Sequence, residues 1–147
     1  MQTQLNPAIF KSYDIRGIYP AELTDDVAYE IGRAFVALLS AKTIVVGRDM
    51  RPSGEKLFES FARGATEAGA DVVYVGMVST DALYFAVGKY GYDGGVMITA
   101  SHNPAQYNGM KFTKSEAQAL SLDTGLSEIR DQILAGKFPP RAATPGK

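Results

Sequence analysis

A chain of 147 residues, 46% hydrophobic and 21% charged, has the size of one globular domain of roughly 100–150 residues. Fifteen Lys and Arg against 16 Asp and Glu leave a net charge of −1, so neither nucleic acid nor an anionic membrane is an expected partner. Without Cys, disulfides, thiol catalysis and thiolate metal sites are excluded; one His is too few for a His-built zinc site, which leaves a hard cation held by oxygens open.

The first seventeen residues carry no basic stretch followed by an apolar run, and no segment approaches the ~18 apolar residues of a membrane span. A cytoplasmic location is the expectation. Ser12–Gly17 reads as a loop in which Arg16, followed by Gly17, can fork onto a phosphate or carboxylate, or pair with Asp14 at the surface. From Thr24 to Ser40, Val27, Ile31, Ala34, Phe35 and Leu38 form one helical stripe, with Thr24 as N-cap and Asp25 and Asp26 in the first turn. Thr43–Gly47 is a β-branched run, hence a buried strand. Ser53 is expected to cap a second helix whose Leu57, Phe58, Phe61 and Ala65 face the core and which ends at Gly69.

Asp71–Gly76 is a further strand. A shorter helix over Asp81–Tyr90 places Leu83, Ala86, Val87 and Tyr90 on one side, and Gly95–Thr99 is the next strand. Ser101–Gly109, rich in Asn, Pro and Gly, reads as a loop; Asn108-Gly109 suits a tight reversal before a short strand Met110–Thr113. A last helix is expected over Asp123–Ala135. The Pro-rich tail reads as a linker, which divides the chain into a domain at 1–138 and a tail at 139–147. Strands joined by helices of ten or more residues imply crossovers, hence an α/β fold: a three-layer α/β/α domain with a mostly parallel, mixed sheet flanked by helices.

Parallel strands share a C-terminal edge, and open α/β sheets place ligand-binding residues there. Thr99-Ala-Ser-His-Asn-Pro104 leaves one strand at that edge. Ser101 offers a hydroxyl able to accept a phosphoryl group, His102 an imidazole able to exchange a proton, and Pro104 stiffens Asn103. A solvated polar turn is the competing explanation. Lys111, ten residues on, would approach Ser101 through the Asn-Gly reversal and neutralise developing charge. Gly47–Gly54 leaves a second strand, where Arg48, Arg51 and a helix start would form an anion site. No phosphate-cradling Gly-Lys loop, dinucleotide fingerprint or nucleophile elbow occurs. A hydroxyl, an imidazole, a lysine and arginines without a carboxylate cluster point to chemistry on a phosphate.

Tyr13-Asp-Ile-Arg-Gly17, Gly47-Arg-Asp49 with Ser53-Gly54, Thr99–Pro104 and Tyr107-Asn-Gly-Met-Lys111, in that order, resemble the first domain of the α-D-phosphohexomutases, most of all the bacterial phosphomannomutase/phosphoglucomutase branch. The resemblance spans about residues 8 to 136. It implies that Ser101 is a phosphoserine exchanging its phosphoryl group with a hexose 1- or 6-phosphate through a bisphosphorylated sugar. Lys111 would act as acid/base and Arg16 would stabilise the transferring charge. His102 would support the phosphoserine, and Tyr13, Arg48 and Asn103 would bind substrate or phosphate. Mg²⁺ would be held through the phosphate on Ser101. The turn at Ser79–Leu83 departs from the family, with Ser79 and Asp81 where prolines flank the Thr. The family's metal, sugar and distal phosphate loops belong to further domains, so the partners implied are a phosphorylated hexose and the rest of the same enzyme, and the 147 residues alone are expected to lack full activity. Phosphoglucosamine mutase and a non-catalytic phosphosugar-binding module are the alternatives.

Overall fold

The first helix, α1 (Asp25–Leu39), begins where Thr24 Oγ1 accepts a hydrogen bond from the Val27 amide at 3.0 Å, with Asp25 and Asp26 in its positive first turn. Its Val27, Ala28, Ile31, Ala34 and Phe35 are fully buried, and they face α2 (Gly54–Glu67), whose Leu57, Phe61 and Ala65 are fully buried as well. The two helices meet at Gly32 and Gly64. A Cβ at Gly32 would lie 2.3 Å from the Phe61 carbonyl oxygen, and one at Gly64 would lie 2.0 Å from that of Tyr29. Only glycine allows so close a crossing.

In the computed structural model, which describes residues 5–101, 103–140, 142 and 144–147, the sheet is mixed and six-stranded. Its strands are β1 (Ile15–Ile18), β2 (Thr43–Arg48), β3 (Asp71–Met77), β4 (Gly94–Ile98), β5 (Tyr107–Lys114) and the two-residue β6 (Gln118–Ala119), in the order β1-β5-β4-β2-β3 with β6 on β5. β2, β3 and β4 run parallel; β5 is antiparallel to both β4 and β1. Ile44, Val45 and Val46 of β2 are fully buried, as a strand covered on both faces requires. One face packs Ile15, Ile44, Val46, Ile98, Met110 and Phe112 against α1, α2 and α4 (Ser127–Ala135). The other packs Val45 and Met97 against Leu83 and Val87 of α3 (Thr80–Tyr90), which starts on the Ser79 hydroxyl and ends on Gly91 with φ +68°. The layers are those of the expected three-layer fold.

The structure departs from the sequence pattern at particular places. Ile15–Ile18 is an edge strand rather than loop, too short and too polar to alternate visibly. Asn108 and Gly109 lie inside β5, and the reversal falls earlier, where the Tyr107 amide donates to the Pro104 carbonyl at 3.0 Å. Ser53 sits in right-handed helical geometry and its side chain caps nothing; its hydroxyl accepts instead from Asn108 Nδ2 at 2.7 Å. Tyr90 is exposed, because the apolar face of α3 is only Leu83 and Val87 wide. α4 begins at Ser127, after a wide turn over Leu122–Leu126 in which Gly125 is not helical. Beyond Ala135, Arg33 stacks 4.3 Å from the Phe138 ring centroid. The amides of Ala142 and Gly146 donate to the Glu67 and Thr66 carbonyls, and Val72 donates to Lys147. Among the described residues no helix is long and apolar enough to cross a membrane.

Candidate active site

β2 and β4 are neighbours, so the loops that leave them stand side by side at the shared C-terminal edge, where the strand order reverses, β3 lying on one side of β2 and β4 on the other. The loop after β4 holds Ser101 at φ +56°, the left-handed region that serine seldom occupies. Its amide donates to Thr99 Oγ1 at 3.0 Å, and that hydroxyl donates to Asp49 Oδ2 at 2.6 Å. Asp49 also accepts from the Arg51 amide and Nε at 3.1 and 3.2 Å.

Arg51 is not part of an anion site. It is 6% exposed, and its guanidinium is spent on the chain itself, donating to the carbonyls of Ser101, Asn103, Pro104 and Tyr107. A sequence pattern shows an arginine near a helix start; it does not show that a loop fifty residues downstream folds over it. Arg48 stands apart as well. Its Nε donates to the Tyr74 hydroxyl at 2.7 Å and its Nη1 to the Asp49 carbonyl at 3.2 Å, on the β3 side of the sheet.

The second half of the site is built on β1 and β5. Met110 and Phe112 point into the main core, so Lys111 between them faces the α3 layer. Lys11, Tyr13, Asp14, Arg16, Tyr84 and Lys111 surround a cleft of about 670 Å³. Three cations against one carboxylate make the cleft a place for an anion. Tyr13 stands 77% exposed at its rim. Burial first, then the carboxylates of Asp81 and Asp14, hold the Tyr84 hydroxyl above its ordinary value of 10.0.

Arg16 joins the halves. Its Nη2 donates to Asp14 Oδ2 at 2.5 Å and its Nη1 to Asn103 Oδ1 at 2.9 Å. The Asp14–Arg16 pair is therefore no solvated surface pair: Asp14 is 7% exposed, and Arg16 Nε is buried without an acceptor among the described residues. The close approach of β1 rests on Gly109, whose Cβ would lie 2.1 Å from the Ile15 carbonyl oxygen. So the fold gathers Tyr13, Arg16 and Lys111 around one cleft, ties Asn103 to it, sets Ser101 two residues from that tie, and leaves Arg48 aside. His102 lies outside the described residues. Asp49, Thr99, Tyr84 and Asn108 escaped sequence reasoning; the Gly47-Arg-Asp49 and Thr99–Pro104 segments were visible signals, but not the bonds between them.

The family model for the phosphoglucomutase/phosphomannomutase α/β/α domain I matches residues 7–140. The chain belongs to the phosphoglucomutase/phosphomannomutase family. A phosphomannomutase of Salmonella montevideo is 47% identical over 135 residues, which are 92% of this chain and 30% of that protein. A phosphomannomutase sequence of Klebsiella pneumoniae is 47% identical over 131 residues and is covered to 83%. The solved structure of a phosphoglucomutase/phosphomannomutase family protein from Burkholderia thailandensis superposes with a TM-score of 0.86 at 36% identity, covering 98% of this chain and 33% of that one. This phosphoglucomutase/phosphomannomutase domain I thus spans about a third of the length of the Salmonella and Burkholderia proteins.

Among the described residues no three His, Cys, Asp or Glu side chains converge. The carboxylates nearest the two loops are engaged, Asp14 by Arg16 and Asp49 by Thr99 and Arg51.

Proposed function

We propose that this chain is the phosphoryl-carrying domain of a phosphohexomutase that interconverts hexose 1-phosphate and hexose 6-phosphate of mannose or glucose, with Ser101 as the carrier. The observation that supports this most is the bond that ties a net cationic cleft to the serine loop: Arg16, whose buried Nε has no acceptor among the described residues, donates to Asn103, two residues from a serine held on a braced loop. Phosphoryl transfer asks little of a protein beyond position and charge, and both are here.

In this reading the Ser101 Oγ–P bond breaks as a hydroxyl oxygen of the bound hexose monophosphate takes the phosphoryl group. The hydroxyl proton ends on Ser101 Oγ, with Lys111 as the acid/base that conveys it. The bisphosphorylated sugar turns over in the cleft and returns its other phosphoryl group to Ser101, regenerating the phosphoserine and releasing the isomeric monophosphate. Arg16 and Lys111 face the charge spread over the transferring oxygens. Asn103 keeps Arg16 in place, and Tyr13 walls the sugar side. His102 is assigned to the support of the phosphoserine. Arg48, turned toward Tyr74, would reach a phosphate only by giving up that bond. A phosphate oxygen on Ser101 would serve as one ligand of a magnesium ion, whose charge would offset that of the transferring group, and the remaining ligands would come from the rest of the enzyme.

The test is isomerisation by the natural chain that carries this domain, with glucose 1-phosphate or mannose 1-phosphate and a trace of the bisphosphate. Ser101→Ala is expected to abolish turnover, and Arg16→Ala to lower kcat by about 10²–10³-fold. A Ser101→Ala protein that turns over normally refutes the reading. The isolated 147 residues are expected to be no competent mutase, and rapid turnover by them would refute that part.

A further inference from the structure

The cleft leaves unexplained why one buried arginine spends four of its five guanidinium donors on a surface loop. Arg51 has five guanidinium N–H groups, and the structure gives each an acceptor. Nη1 donates to the carbonyls of Pro104 at 2.7 Å and Tyr107 at 3.0 Å. Nη2 donates to those of Ser101 at 2.9 Å and Asn103 at 2.7 Å, and Nε donates to Asp49 Oδ2 at 3.2 Å. Pro104, Ala105 and Gln106 are exposed, so no packing from above would hold this segment. The four carbonyls run from that of Ser101 itself to that of Tyr107, the first residue of β5.

We propose that Arg51 is a positioning residue for phosphoryl transfer at Ser101, which its guanidinium fixes in place by clamping the carbonyls of Ser101, Asn103, Pro104 and Tyr107. The inference rests on the reading of Ser101 as the phosphoryl carrier. Two links carry it to the reacting atoms. Arg51 holds the Ser101 carbonyl while Thr99 Oγ1 holds the Ser101 amide, so both peptide groups of the left-handed residue are fixed. Arg51 also holds the Asn103 carbonyl, while Asn103 Oδ1 accepts from Arg16. The chain Arg51–Asn103–Arg16 therefore sets the serine loop in register with the cationic cleft. Asp49 keeps the guanidinium oriented, bonded at once to its Nε and to the Arg51 amide. A lysine could not replace this: an ammonium offers three donors from one point, against five in a rigid plane.

The experiment compares wild type with Arg51→Lys and Arg51→Gly in the natural chain carrying the domain, measuring kcat and KM separately for the monosaccharide phosphate. Misplacing a transferring group by about 1 Å costs on the order of 10²-fold, so Arg51→Lys is expected to lower kcat about 100-fold with KM changed less than about threefold. Millimolar guanidinium is expected to restore Arg51→Gly at least about tenfold, and ammonium is not, because only the planar fork meets the four carbonyls. A kcat for Arg51→Lys within about threefold of wild type, or a raised KM with kcat unchanged, overturns the proposal. Should neither variant fold, backbone ¹⁵N relaxation of wild type decides: order parameters near ~0.85 over 101–107 support the clamp, and values below ~0.6 overturn it. A wild-type Ser101 that never takes phosphate refutes the carrier reading instead, and leaves those order parameters as a separate result.

Discussion

Gly109→Ala is the substitution whose consequence the geometry states most sharply. A Cβ at this position would lie 2.1 Å from the Ile15 carbonyl oxygen, 3.0 Å from that of Thr99 and 3.2 Å from the Arg16 Cα. All three are backbone atoms, so no side chain can turn aside. β1 must move from β5 by about 1 Å, which places the cost near the upper end of the ~1–3 kcal/mol typical of overpacking. For a chain of this size that is a fall in melting temperature of roughly 5–10 °C by calorimetry or dye-monitored unfolding. The same shift carries Arg16 away from Asn103, so transfer at Ser101 should slow about 10²-fold even at temperatures where the protein is folded. Gly88→Ala is the matched control. Its Cβ would meet only the Ala117 Cβ, at 3.8 Å, inside α3, so it should raise stability by about 0.5–1 kcal/mol. A Gly109→Ala protein melting within about 2 °C of wild type, with unchanged turnover, would refute the reasoning.

The helix-start serines separate two mechanisms. Ser79→Ala removes the acceptor of the Ala82 amide and should cost about 1 kcal/mol in urea unfolding. Ser53→Ala removes no cap but strips the partner from Asn108 Nδ2, which belongs to a fully buried residue, and should cost about 1–3 kcal/mol; a Ser53→Ala protein as stable as wild type would contradict this. Tyr84 and Tyr19 hold their protons more tightly folded than unfolded, through burial first and then nearby carboxylates. Their contribution is present in full below the ordinary value of 10.0 and is lost as pH rises through the raised folded values, so urea midpoints should fall above about pH 10 and fall less in Tyr84→Phe. Thr99→Val breaks the link from Asp49 to the Ser101 amide, and should both destabilise by about 1–3 kcal/mol and lower kcat, measured on the same preparation.

The helices and central strands were legible because they are periodic: Val27, Ile31 and Phe35 are spaced for one face of α1, and Ile44–Val46 are apolar on both faces of a buried strand. What misled was local chemistry read without its tertiary setting. Asn108-Gly109 has the composition of a turn, yet its glycine answers the approach of Ile15 and its asparagine is buried on Ser53. Ser53 has the composition of a cap, yet Asn108 takes its hydroxyl. The site divided in the same way. Ser101 could be singled out by residue type and by the strand edge that its loop follows, Arg16 and Lys111 by residue type and neighbouring glycine, and Tyr13 and Asn103 by the family resemblance. Arg51 could not be assigned its place, because a loop fifty residues downstream supplies its acceptors, and spacing along the chain holds no trace of that. Asp14 and Tyr84 entered the cleft for the same reason: β1 and α3 meet there only after the sheet has assembled.

The central claim is that Ser101 carries the phosphoryl group, and site-resolved peptide mass spectrometry tests it most directly. The natural chain carrying this domain, incubated with glucose 1,6-bisphosphate, should show one added phosphate, on the peptide containing Ser101 and on that hydroxyl, removed again by excess hexose monophosphate. Phosphate on another residue, or none under conditions where the protein is folded, would contradict the account.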